Sequence, residues 1–113
     1  MSNGRPLRRE EREVIIAMLS GKPSNAKLAS NLDACMIEDM QDGGMGSIRF
    51  LSGDEPRRLG DAIAEAEYTD NDGILVIIAL NTDRSGKLYE VDFWKVDFSP
   101  LLRYPSACDL RIK

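Results

Sequence analysis

The side chains able to do chemistry in this chain are few. It contains no histidine, which removes Ser-His and Cys-His nucleophile pairs, histidine general bases and most catalytic zinc sites. Carboxylates and two thiols are left. Glu65 and Glu67 stand two apart in a strand-like segment and could share an acid–base site. Solvated carboxylate pairs at that spacing are common, however, and no second hydrolase signature accompanies them. Cys35 and Cys108 lie far apart in a chain without an export signal, so they are expected as reduced thiols with neither a disulfide nor a metal role.

Two loops could hold an ion. The stretch "DMQDGGMGSIRF", Asp39 to Phe50, sets Gly43, Gly44 and Gly46 beside Asp39 and Asp42. It matches neither the dinucleotide pattern G-x-G-x-x-G nor a P-loop. It also leads into a strand pattern, so no helix N-terminus would aim amides at phosphate. Glycines taking positive φ in a hairpin, with Gly46 at a bulge or close approach, explain it better. In "NTDRSGKLYEVD", Asn81, Asp83, Ser85, Gly86 and Asp92 occupy positions one, three, five, six and twelve of an EF-hand-like loop. The first ligand is Asn, the last is Asp instead of bidentate Glu, and strands flank it, so a polar hairpin loop is the expectation. The reading is a non-enzymatic chain with no cofactor and no metal.

Composition narrows the remaining classes. A chain of 113 residues is expected to form a single domain, 1–113, with one site or one surface. With 42% apolar and 30% charged residues it reads as globular. No apolar run reaches the roughly 18 residues of a membrane span, and "MSNGRPLRREERE" lacks the apolar centre of a signal peptide, so the expected compartment is the cytoplasm. A net charge of −4 and a pI near 4.8 oppose a nucleic-acid ligand and suit a basic protein partner. Arg5, Arg8, Arg9 and Arg12 form the one cationic run. Its interleaving with Glu10, Glu11 and Glu13 predicts a solvated helix face laced with ion pairs.

The elements that must position these groups follow from periodicity. Leu7, Val14, Ile15, Met18 and Leu19 behind Pro6 predict an amphipathic helix over about 6–20, stopped by Gly21 and Pro23. Ser24 is placed to cap a short second helix carrying Leu28 and Leu32. From Ala34 the period changes to two, and strands are predicted near 34–40, 46–51, 62–69, 74–80 and 87–97. The expected fold is α+β: an N-terminal helix or two packed on one face of an antiparallel sheet of about five strands in meander order. The tail "SPLLRYPSACDLRIK", broken by Pro100 and Pro105, should pack as an irregular lid.

Strand parity then sorts the side chains. A two-residue turn, Asn71-Asp72 or Asp72-Gly73, would join the third and fourth strands. Glu65 and Glu67 would then share a face with Val76 and Ile78, and Ala64, Ala66 and Tyr68 the other face with Leu75, Ile77 and Ala79. Matching apolar with apolar puts Tyr89, Val91 and Phe93 on the face with Tyr68, under the first helix. The opposite face would show Glu65, Glu67, Glu90 and Asp92 beside an aliphatic strip and Trp94, with Asp39 and Asp42 near its edge. Two readings of that face stand. It is a landing surface for a basic protein, or carboxylates solvate it while the tail covers the strip.

A resemblance enters on three stretches: "RPLRREEREVI", "MQDGGMGSIRF" and "YTDNDGILVIIALNTDRSGKLYEVDFWKVDFSPL". They resemble a family of small bacterial proteins of unknown function with a DGGMGS turn, a D-x-DG turn and a DxWKxDxSPL-like ending. The likeness runs from Arg5 to about Leu102 and departs in segment 21–34 and the last ten residues. These proteins are in turn similar to immunity proteins of polymorphic toxin and contact-dependent growth inhibition systems. The resemblance implies a cytoplasmic protein that neutralises a cognate toxin domain by binding it, as a monomer in a heterodimer, with no direct contact to nucleic acid or membrane; the acidic composition suits a basic nuclease-type toxin. The partner-binding residues expected are Asp39, Asp42, Glu65, Glu67, Glu90, Asp92 and Trp94, with Trp94 as the buried anchor. The alternative is a small intracellular binding or scaffold domain of unknown ligand, homodimeric through the same apolar strip.

Overall fold

Val14, Ile15, Met18 and Leu19 recur at helical spacing and are buried, while Arg9, Glu10, Arg12 and Glu13 are exposed, which makes helix α1 (Arg9–Leu19) amphipathic. Its start is closed by Glu11, whose carboxylate accepts the Arg8 N–H at 2.8 Å and so satisfies one of the donors that a helix start leaves unpaired. The helix begins later than periodicity suggests because Arg5–Pro6 form a short strand, β1, paired antiparallel with Met36 and Ile37. Helix α2 (Ala26–Ser30) follows a 3-10 turn over Pro23–Asn25. Ser24 therefore lies inside that turn and is not the cap of α2. The computed structural model describes residues 4–30, 32–51 and 58–113.

The remaining strands are β2 (Met36–Asp39), β3 (Ile48–Phe50), β4 (Leu59–Thr69), β5 (Leu75–Asp83), β6 (Leu88–Lys95) and β7 (Arg111–Ile112). Among the described residues the fold is α+β, with two helices and one antiparallel sheet of seven strands in the order β1-β2-β3-β6-β5-β4-β7. This corrects the five-strand meander in two respects. Two-residue strands, β1 and β7, are too short to show a period. Moreover, β3 pairs with β6 instead of β4. The link between β3 and β4, residues 51–58, is longer than a hairpin turn needs, so nothing obliges those two strands to be neighbours. Tight hairpins do join β4 to β5 and β5 to β6, and these three remain a meander.

The core is one cluster that joins the inward side chains of α1 to alternate residues of the strands: Ile37, Ile48, Phe50, Ala66, Tyr68, Val76, Ile78, Leu80, Val91 and Phe93. We call this side of the sheet the inner face. Among the described residues no helix is long and apolar enough to cross a membrane. Cys35 is half-buried and Cys108 exposed, and neither forms a disulfide.

The β4–β5 turn corrects the expected parity. Asp70 N–H donates to Ile74 O at 2.9 Å and Gly73 N–H to Asp70 O at 2.9 Å, with Gly73 at φ +79°. The loop thus has three residues, Asn71, Asp72 and Gly73, the last in the left-handed conformation that such loops need. One residue more than a two-residue turn moves every β5 side chain to the other face. Val76 and Ile78 are in the core, and Ile77 and Ala79 lie opposite Glu67 and Glu65 on the outer face. A bulge where β6 passes Asn81 and Thr82 likewise removes Tyr89 from the inner set. Its ring lies under the Arg49 guanidinium, 5.4 Å from the centroid.

Candidate partner-binding face

The outer face is built of cross-strand rows. Glu65 pairs with Ala79 and Ala79 with Asp92, while Glu67 pairs with Ile77 and Ile77 with Trp94. A third row runs from Asn81 through Glu90 to Arg49. The first row thus sets two carboxylates about Ala79, and the second sets Glu67 and Trp94 about Ile77. Trp94 is 44% exposed at the end of its row.

The four carboxylates are not equivalent. Glu67 is met by Arg111 at 3.4 Å and Lys113 at 3.6 Å. Glu90 accepts from Asn81 Nδ2 at 3.2 Å and lies 3.7 Å from Arg49. Among the described residues, Glu65 and Asp92 form no ion pair, and both are exposed. The uncompensated negative charge of this face is therefore theirs, on either side of Ala79.

Asp39 and Asp42 do not belong to this face. Asp39 pairs across the strands with the core residue Ile48, which places it on the inner side. There the Arg5 guanidinium bridges it, at 2.7 Å, to the buried Glu11 of α1, at 2.8 Å. Hydrogen bonding to Arg5 holds the Asp39 carboxyl below its ordinary range. Asp42 stays in its own turn, accepting the N–H groups of Met45 at 3.1 Å and Ser47 at 2.9 Å. The glycine-rich stretch is thus a self-capped turn, with Gly43, Gly44 and Gly46 all at positive φ. Asp83 behaves alike at the β5–β6 hairpin, accepting the N–H groups of Ser85 at 2.9 Å and Lys87 at 3.0 Å. Among the described residues no three His, Cys, Asp or Glu side chains are grouped so as to hold a metal ion.

Sequence reasoning missed what positions the end of β6. Lys95 is fully buried, with its ammonium 2.9 Å from Asp70, 2.7 Å from Asp72 and 3.1 Å from Pro100 O. Burial by itself would raise the Asp70 carboxyl, but the Leu102 and Asn71 N–H groups together with Lys95 outweigh it and hold it at about 2. Burial would likewise lower Lys95, yet its two carboxylates raise it. The glycine-rich turn joins the same knot through Leu101 N–H, which donates to Gly44 O at 3.1 Å, and Phe93 N–H, which donates to Ser47 Oγ at 2.9 Å. Asp42–Ser47, Asp70–Gly73 and Lys95–Leu101, far apart in sequence, therefore meet at one end of the sheet as a structural lock.

From this lock the tail runs along the inner side. Tyr68 Oη donates to Arg103 O at 3.0 Å, and the Tyr104 ring lies 5.3 Å from that of the core residue Phe93. Its covering residues, Leu101, Tyr104 and Leu110, pack against the core. The tail is thus not a lid on the outer aliphatic strip.

The profile of one protein family, described as a domain of unknown function (DUF6984), matches residues 4–105. The chain belongs to that family. The match takes in α1, the lock and the outer-face residues of β4 to β6, and it stops before β7, whose Arg111 lies against Glu67. No curated protein and no solved structure matches the chain.

Proposed function

We propose that this member of the DUF6984 family is a non-catalytic inhibitor of the immunity-protein kind, which neutralises a basic toxin domain by covering it with the outer face of its sheet. The observation that carries the reading is the pairing of an exposed Trp94 with two carboxylates, Glu65 and Asp92, that have no ion-pair partner among the described residues. Helix and tail residues join the core on the inner side, so the aromatic and the two charges stand open together.

A toxin domain that cleaves nucleic acid needs a basic cleft, and an acidic face can occupy that cleft in place of the substrate. The net charge of −4 would speed the encounter, and a large aromatic near the centre of the contact would slow release. The resemblance of three sequence stretches to a family of unknown function, whose members are similar to immunity proteins, points the same way. Asp39 and Asp42 are not part of the proposed contact, because the first is bound by Arg5 and the second caps its own turn.

The test is co-expression with the C-terminal domain encoded immediately upstream of this gene, scored for growth and for co-purification. Growth rescue with a stoichiometric complex is the expected outcome. Toxicity that persists without a complex would overturn the reading.

A further inference from the structure

Phe98 is the one non-glycine residue among those described with positive φ, at 63°, and its side chain is 70% exposed. A bulky residue adopts that conformation only against steric resistance, and glycine would serve the turn better. The surroundings hold it there firmly. Phe98 N–H donates to Lys95 O at 2.8 Å, and Asp97 accepts Ser99 N–H at 3.0 Å and Ser99 Oγ–H at 2.6 Å. Ser99 precedes Pro100, which restricts it to extended backbone, and Lys95 is itself fixed by Asp70 and Asp72. What this braced turn presents is an aromatic ring that gains nothing from the core. Its centroid lies 6.2 Å from that of Trp94, with the ring planes tilted by 48°.

We propose that the outer face recognises its partner through an arginine side chain laid across the Trp94–Phe98 pair, an inference that rests on reading this face as a partner surface. Two observations and the chemistry of the guanidinium select arginine. Asp92 stands two residues before Trp94 on the same face, and Asp97 adjoins Phe98. Lys95, between them in sequence, is buried under two carboxylates and offers no repulsion. A guanidinium is planar and weakly hydrated, so it can stack on an aromatic ring while forking to a carboxylate; a lysine ammonium does the second but is poor at the first. A second copy of the chain fits worse, since a two-fold contact on this face would bring two sets of Glu65 and Asp92 into one interface.

Trp94 is the only tryptophan, so its fluorescence reports on the site directly. The intact protein is titrated with a twelve-residue peptide of alternating arginine and glycine, and with its lysine counterpart at equal ionic strength. The expected result is saturable quenching, with an affinity about tenfold higher for the arginine peptide. Phe98→Gly suits the backbone of its position, so it should fold as well as the parent yet bind both peptides equally. Glu65→Gln with Asp92→Asn should weaken both peptides alike. Absence of binding, equal affinity for the two peptides, or an unchanged preference in Phe98→Gly would overturn the proposal. Growth rescue that survives Phe98→Gly would leave the inhibitor reading and remove the arginine anchor. Arginine-selective binding without rescue by the wild-type protein would do the reverse.

Discussion

The Lys95 ammonium lies 2.9 Å from the Asp70 carboxylate, and neither side chain has any exposure to solvent. Lys95 ends β6 and Asp70 opens the β4–β5 turn, so this contact fixes two neighbouring hairpins to each other. Asp70 also accepts the N–H groups of Leu102 at 2.9 Å and Arg103 at 3.0 Å, which brings in the tail. Removing one member of a buried, hydrogen-bonded pair strands the other charge, which costs far more than the pair contributes.

Asp70→Ala should therefore destabilise the fold by about 3–5 kcal/mol. Asp72→Ala should cost clearly less, because Asp72 is partly exposed and Lys95 keeps Asp70. Urea denaturation of the two variants checks the order. Equal losses, or an Asp70→Ala midpoint close to that of the parent, would show that the pair does not hold the hairpins together.

Acid should release the same lock and, in the tail, the Asp109 carboxylate that Arg103 holds at 2.6 Å. Asp70 and Asp109 are each held at about 2 in the folded protein, against about 3.9 for an unperturbed aspartate. Between those values the unfolded chain binds more protons than the folded one, so stability falls as pH falls. The contribution is complete above about pH 4 and is lost towards pH 2. Denaturation midpoints should stay level from pH 7 to 5 and drop below pH 4, with a shallower drop in Asp70→Asn.

Much of the fold was legible because its long strands obey a period of two. Val91 and Phe93 faced the core, and Glu65, Glu67, Glu90, Asp92 and Trp94 the other side, as alternation required. What failed was set by single residues. Gly73 lengthened a turn and exchanged the β5 faces, and a bulge displaced Tyr89. Asp39 was misplaced because its partner, Arg5, lies 34 residues away in a strand of two residues. Alternation sets Lys95 on the side of Phe93, but sequence gives no sign that two carboxylates close over it. Phe98 at positive φ had no signal at all, as its type argues against that conformation.

Two hidden close contacts can be tested in the same way. A Cβ added at Gly60 would stand 2.5 Å from Asp83 O and 2.7 Å from Asp83 C. Both are backbone atoms of the adjacent strand. Gly60→Ala should force β4 and β5 apart there and cost about 1–3 kcal/mol. Gly21→Ala is the control, since nothing lies within 4 Å of the added atom, and it should leave the melting temperature nearly unchanged.

Ser47 offers a polar counterpart. Its buried Oγ accepts Phe93 N–H at 2.9 Å, tying the glycine-rich turn to β6 beneath Asp92. Ser47→Ala leaves that N–H without its acceptor and should cost about 1–3 kcal/mol. Hydrogen exchange at the Phe93 amide should accelerate by more than at Leu80, in the neighbouring strand. Uniform acceleration would mean that the hydroxyl contributes only to global stability.

The two kinds of carboxylate on the outer face separate binding from folding. Glu65 and Asp92 form no ion pair among the described residues, so Glu65→Lys with Asp92→Lys should leave the urea midpoint nearly unchanged. If these charges are desolvated against a basic partner, the same double variant should weaken the complex by about 2–5 kcal/mol. Glu67→Lys should behave differently, because it opposes Arg111 and Lys113 and would loosen the β7 edge while leaving the contact at Ala79 in place. Calorimetric titration with the purified partner domain, beside denaturation of each variant, gives both quantities. A double variant that folds and binds like the parent would show that solvent, and not a partner, is what these carboxylates face.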